Sequence, residues 1–129
     1  MNLKKTTSIA LVLFLVLVAG IFAQTTQQQA NTLLNRYEAL AKAYEDLAKE
    51  SGTLAAQQRP TKLSLTRLET NRQNLLRQQA EIQADWRAFF TTGRDVTQAQ
   101  QARLNALVDR ILLADDRIGA NIRTINSKL

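Results

Sequence analysis

Beyond residue 24 the chain alternates apolar and polar positions with helical spacing, and breakers divide it into three pieces. Leu33, Tyr37, Leu40, Tyr44 and Leu47 step by four and three, the heptad seam of an amphipathic helix. Leu34, Ala41 and Ala48 widen it on one flank. The spacing predicts a first helix over about 26–51, with Gly52 after Ser51 as its C-cap. Glu38 and Glu45 stand four residues before Lys42 and Lys49, in the order that supports an exposed helix face. Pro60 opens a second helix over about 61–90, with the seam Leu65, Leu68, Arg72, Leu75, Gln79, Ile82, Trp86 and Phe89, and with Leu76 and Phe90 widening it. Thr91-Thr92-Gly93 ends it. Thr97 and Gln100 form a capping box that starts a third helix over about 97–128. Its seam is Leu104, Val108, Ile111, Asp115, Ile118, Ile122, Ile125 and Leu129, broadened by Leu107 and Leu112.

Short connections between long helices predict an all-α fold, an antiparallel three-helix bundle with coiled-coil-like seams. If the second and third helices fold about Gly93, residues whose numbers sum to about 187 share a layer. Arg72 then faces Asp115, the charged residue of one seam opposite that of the other, and the expected role of the pair is to fix register. The same layering puts Trp86, Phe89 and Phe90, with Arg87 and Arg94 beside them, at an end where the first helix offers few apolar partners. This tip is either a core plug or a contact patch for a partner, a second copy or a membrane interface.

Ahead of the helices, Lys4 and Lys5 precede an uncharged apolar run from Ile9 to Ala23. This is the pattern of a secretory signal peptide over residues 1–23, with Ala23 before the cut and Ile21 two places earlier. The alternative is an uncleaved anchor over residues 6–23, since a spanning helix needs about 20 apolar residues. In both cases residues 24–129 are one exported domain, periplasmic or extracellular. With the anchor retained, the aromatic tip lies beside the membrane.

Composition narrows the chemistry. The chain has no cysteine and no histidine, so disulfides, Ser-His or Cys-His nucleophiles and the commonest metal ligand are absent. No glycine-rich phosphate loop occurs. No catalytic, cofactor or metal residues are assigned and no small-molecule substrate is inferred. The net charge of +6 becomes +4 once Lys4 and Lys5 leave. Arg103, Arg110 and Arg117 recur every seven residues on one outward stripe, but Asp109 and Asp116 alternate with them and no aromatic residues interleave, so nucleic acid is not an expected partner.

Val96-Thr97-Gln98-Ala99-Gln100, followed by Gln101-Ala102-Arg103-Leu104, resembles the LTxxQ motif of periplasmic helical stress chaperones, with Val96 in place of leucine. Leu65-Thr66-Arg67-Leu68-Glu69 is a looser echo, with Glu69 in place of glutamine. The resemblance implies binding of exposed apolar segments of other exported proteins. The residues themselves point to a non-enzymatic envelope module that acts by protein binding or self-association, with a membrane-tethered stalk as a further alternative.

Overall fold

The computed structural model describes the backbone of residues 9–129 and the side chains of residues 26–129. The expected signal segment, residues 1–23, lies outside the residues whose side chains are described. Among the described residues three helices make up the fold: α1 (Ile9–Ala56), α2 (Lys62–Thr91) and α3 (Gln98–Ser127). Among the described residues, no helix is long and apolar enough to cross a membrane.

The hydrogen bonds between helices give their directions. Asn31, Glu38, Glu45 and Ser51 meet Gln100, Arg103, Arg110 and Asn121 in ascending order, so α1 and α3 run parallel. Arg36 and Tyr44 meet Asp85 and Gln79 in descending order, so α2 runs against α1. The helices are not equal partners. α3 packs along α1 throughout, α2 packs on α1 less extensively, and α2 and α3 touch each other least. α1 therefore supplies the centre of the core, with Leu33, Leu34, Tyr37, Leu40, Ala41, Tyr44, Leu47 and Ala48 all buried. An apolar arc of that width faces two neighbours at once.

Several sequence expectations change. α1 does not end at Ser51: it continues to Ala56, and Gly52 is an interior residue of the helix. Packing on α3 explains this. Ser51 Oγ donates to the Ala48 carbonyl (2.8 Å) and accepts from Asn121 Nδ2 (2.9 Å), so the segment is held in helix where a stop was expected. The end of α1 is closed from outside, by Lys128 Nζ donating to the carbonyls of Ala55 and Gln57. A cation at a helix C-terminus satisfies carbonyls that have no intrahelical donor.

In α3 the buried line runs through Leu107, Ile111, Ala114 and Ile118, because its principal neighbour is α1. Leu104 and Val108 are only partly buried and Leu129 is exposed. Leu76, Phe90 and Leu112, expected to widen the core, are 39, 40 and 55% exposed. All three lie on the sides of α2 and α3 that would meet if those helices packed together. The starts of α2 and α3 need no correction beyond one residue. Thr61 caps α2 by accepting from Ser64 N, and Thr97 with Gln100 forms a complete capping box on α3.

Candidate functional site

The loose α2–α3 side forms an open groove. On α2, Arg72, Leu76, Gln79, Gln83, Trp86 and Phe90 are spaced alternately four and three, which places them on one face. On α3, Leu104, Val108, Leu112, Asp115 and Gly119 step by four, four, three and four, which also gathers them on one face. Towards the Phe90 end these faces enclose about 490 Å³, lined by Tyr37 of α1, by Gln83, Trp86 and Phe90, and by Leu104, Asn105, Val108 and Asp109. Three helices of this length bury three pairwise seams only if all three pairs close. Here the third pair stays open.

Its other end is shut by Arg72 and Asp115, which form a two-pronged bridge: Nε to Oδ1 at 2.8 Å and Nη2 to Oδ2 at 3.1 Å. Both side chains are about a quarter exposed (28 and 27%). Their hydrogen bond favours the charged guanidinium, raising its pKa further. Gly119 leaves room for this end of Arg72, since a Cβ there would stand 3.4 Å from Nη2. Beneath the bridge the buried Tyr44 hydroxyl donates to Gln79 Oε1 at 2.8 Å. Burial pushes the Tyr44 phenol up to about 12, and the Asp115 charge adds to the shift while Arg72 opposes it. Gln79, a polar residue in an apolar seam, is thus satisfied by a tyrosine from the central helix. Burial also raises Tyr37, with a hydrogen bond to Gln83 acting the other way.

At the aromatic tip the three rings divide between the two alternatives. Trp86 and Phe89 are each 5% exposed and only Phe90 faces solvent. The reason is that α1 already reaches this end: Ala30 is buried, and Gln29, Thr32 and Leu33 line one cavity together with Phe89. Phe90 stacks on Trp86 (centroids 5.6 Å, 20°), and Phe89 meets Trp86 edge-on (5.5 Å, 82°). Arg94 donates to Gln29 Oε1, while Arg87 is exposed beside Phe90. Trp86 Nε1 is buried with no hydrogen-bond partner among the described residues. An unmade bond from a buried indole is costly, which marks this wall of the groove as an incomplete environment.

The arginine stripe is also corrected. Arg103 and Arg110 do not point outward as a track. They reach across to α1, Arg103 to Glu38 at 2.5 Å and Arg110 to Glu45 at 2.6 Å. Glu38 and Glu45 are therefore spent on α3, not on Lys42 and Lys49, and each carboxyl is held below its ordinary value by its arginine. On another flank of α3, Asp109 and Asp116 are exposed, seven residues apart, and Asp109 lines the groove. Asp116 lies near enough to α2 to raise Arg72.

Sequence reasoning missed the groove, its acidic lip and the α1–α3 ladder. The available signal was the excess of apolar residues on α2 and α3: Leu76, Phe90, Val108 and Leu112 exceed what packing on one neighbour requires. Among the described residues, no cluster of three or more acidic side chains is arranged to hold a metal ion. Thr97 and Gln100, which carry the chaperone-like resemblance, are both engaged in the helix cap. No protein-family model, curated protein or solved structure matches the chain.

Proposed function

We propose that this chain is an exported, non-enzymatic helical-bundle protein that acts by binding another protein through the α2–α3 groove. In this proposal the signal segment is removed after Ala23, α1 and α3 form a rigid seam of the coiled-coil type, and α2 completes one wall of the binding surface. The carrying observation is the open third seam: Leu76, Phe90 and Leu112 stay exposed on the sides of α2 and α3 that turn toward each other, while one other stripe of each helix is buried. Contiguous apolar surface of this kind, rimmed by charge, is what protein-binding sites present.

The test is a photocrosslinking amino acid placed at Leu112, inside the groove, or at Leu63, an exposed apolar position of α2 outside it. In cells that make the protein, position 112 is expected to give a discrete protein adduct and position 63 none. Equal labelling from both positions, or none from either, would sink the proposal. Fractionation and N-terminal mapping of the same material is expected to find Gln24 first in an exported fraction.

A further inference from the structure

We infer that the groove's partner is an amphipathic helix with basic residues at seven-residue spacing along the flank that meets α3. This deepens the proposed function and rests on it. A groove between two antiparallel helices, floored by a third, has the shape of the missing position in a four-helix bundle. A helix enters it with the 3–4 apolar spacing that Leu76 and Phe90 on one wall, and Val108 and Leu112 on the other, already follow.

Charge then selects among helices. This protein shows how α3 recruits a neighbour: on its α1 side, Arg103 and Arg110, one heptad apart, pair with Glu38 and Glu45, one heptad apart. On its groove side α3 carries the opposite sign at the same period, with Asp109 and Asp116. Neither is ion-paired among the described residues. A helix seated in the groove brings its flanking positions to these two aspartates, where lysine or arginine is favoured and glutamate repelled. The basic net charge of the whole chain is screened beyond about 8 Å at physiological salt, so the flank that meets α3 is read by the charges on α3 itself, Asp109 and Asp116.

The probes are two synthetic peptides of about three heptads, identical in their leucine stripe and free of aromatic residues, one with lysine and the other with glutamate at the flanking positions. The full chain contains a single tryptophan, Trp86, so its fluorescence reports the groove wall directly. The lysine peptide is expected to saturate a change in that fluorescence, and the glutamate peptide to need roughly tenfold more. Asp109→Lys combined with Asp116→Lys, both at exposed positions, is expected to invert the preference. Equal binding of the two peptides, binding of neither, or an uninverted preference in the double variant would each overturn the inference. So would a Trp86 signal that changes with protein concentration alone and sediments as a dimer, since a second copy would then be the occupant. Adducts at position 112 without a charge preference would leave the groove as a docking surface and refute only this partner chemistry.

Discussion

Gly93 and Gly52 carry opposite predictions for the same substitution. Gly93 has φ of +82°, the left-handed conformation that ends α2, and open space around its α-carbon. Gly93→Ala should destabilise by about 1 kcal/mol through backbone strain alone. Gly52 is inside α1, where an added Cβ would meet Asn121 Nδ2 at an unstrained 3.7 Å. Gly52→Ala should therefore stabilise by roughly 0.5–1 kcal/mol, as helix propensity dictates. Thermal melting of the two variants checks both signs, and a destabilised Gly52→Ala would return the helix end to Ser51. The local sequence cannot separate these glycines, because Ser51-Gly52 is as good a stop signal as Thr92-Gly93. What distinguishes them is Asn121, 70 residues away, bonded to Ser51. The Arg72–Asp115 bridge makes the same point from the other side. Folding α2 and α3 about Gly93 set the two residues in one layer, and the bridge joins them across 43 positions of sequence. Arg72→Leu alone should cost about 1–2 kcal/mol, less than for a fully buried pair because both groups keep contact with water. Adding Asp115→Leu should restore part of that loss, and strict additivity would mean that the two do not interact.

The α1–α3 seam is edged by two exposed carboxylates, Glu38 and Glu45, whose folded pKa values lie below the ordinary 4.5. The linkage sign is that of a depressed acid: the stabilisation is present above pH 4.5 and is lost as pH falls through the folded values. The acid limb of the stability curve should flatten when Glu38 and Glu45 are both replaced by glutamine, and high salt should shrink the same contribution. An unchanged limb would show that other carboxylates carry it. At the α1–α2 seam the sign is reversed. Tyr44 titrates at about 12 when folded and 10.0 when unfolded, so its contribution is complete below pH 10 and disappears between 10 and 12. Tyr44→Phe should remove that alkaline loss while costing about 1 kcal/mol at neutral pH for the bond to Gln79. Tyrosinate absorbance followed beside helicity separates the two effects. Each helix was legible from its period. The pairings of its charges were not, because Glu38 has Lys42 within reach along the helix and Arg103 across it, and sequence spacing sees only the first.

Which helix lies at the centre was the least legible property of the fold. All three carry a seam of alternating threes and fours, and register was estimated between α2 and α3, the pair that touches least. The clue was in the small residues. Ala30, Ala41, Ala48 and Ala55 are all buried on α1, where they let neighbours approach on both sides of the Leu-Tyr stripe. α2 instead spends Arg72, Gln79 and Gln83 on its groove side, so α1 supplies most of its apolar cover. This asymmetry has a dynamic consequence. Local opening is cheapest where an element has the fewest buried contacts, and α2 can leave α1 while the α1–α3 seam remains intact. Native-state hydrogen exchange should therefore show the interior amides of α2 exchanging through a sub-global opening, with α1 and α3 protected to a higher and common level. Leu68→Ala, a substitution at a fully buried α2 position, should lower the opening free energy of α2 by about 2–5 kcal/mol and leave that of α1 and α3 higher. Arg72→Leu should speed the same α2 amides, since its bridge to Asp115 is the principal polar contact between α2 and α3. Uniform protection of all three helices, falling together in both variants, would instead make the bundle a single cooperative unit and α2 an inseparable part of it.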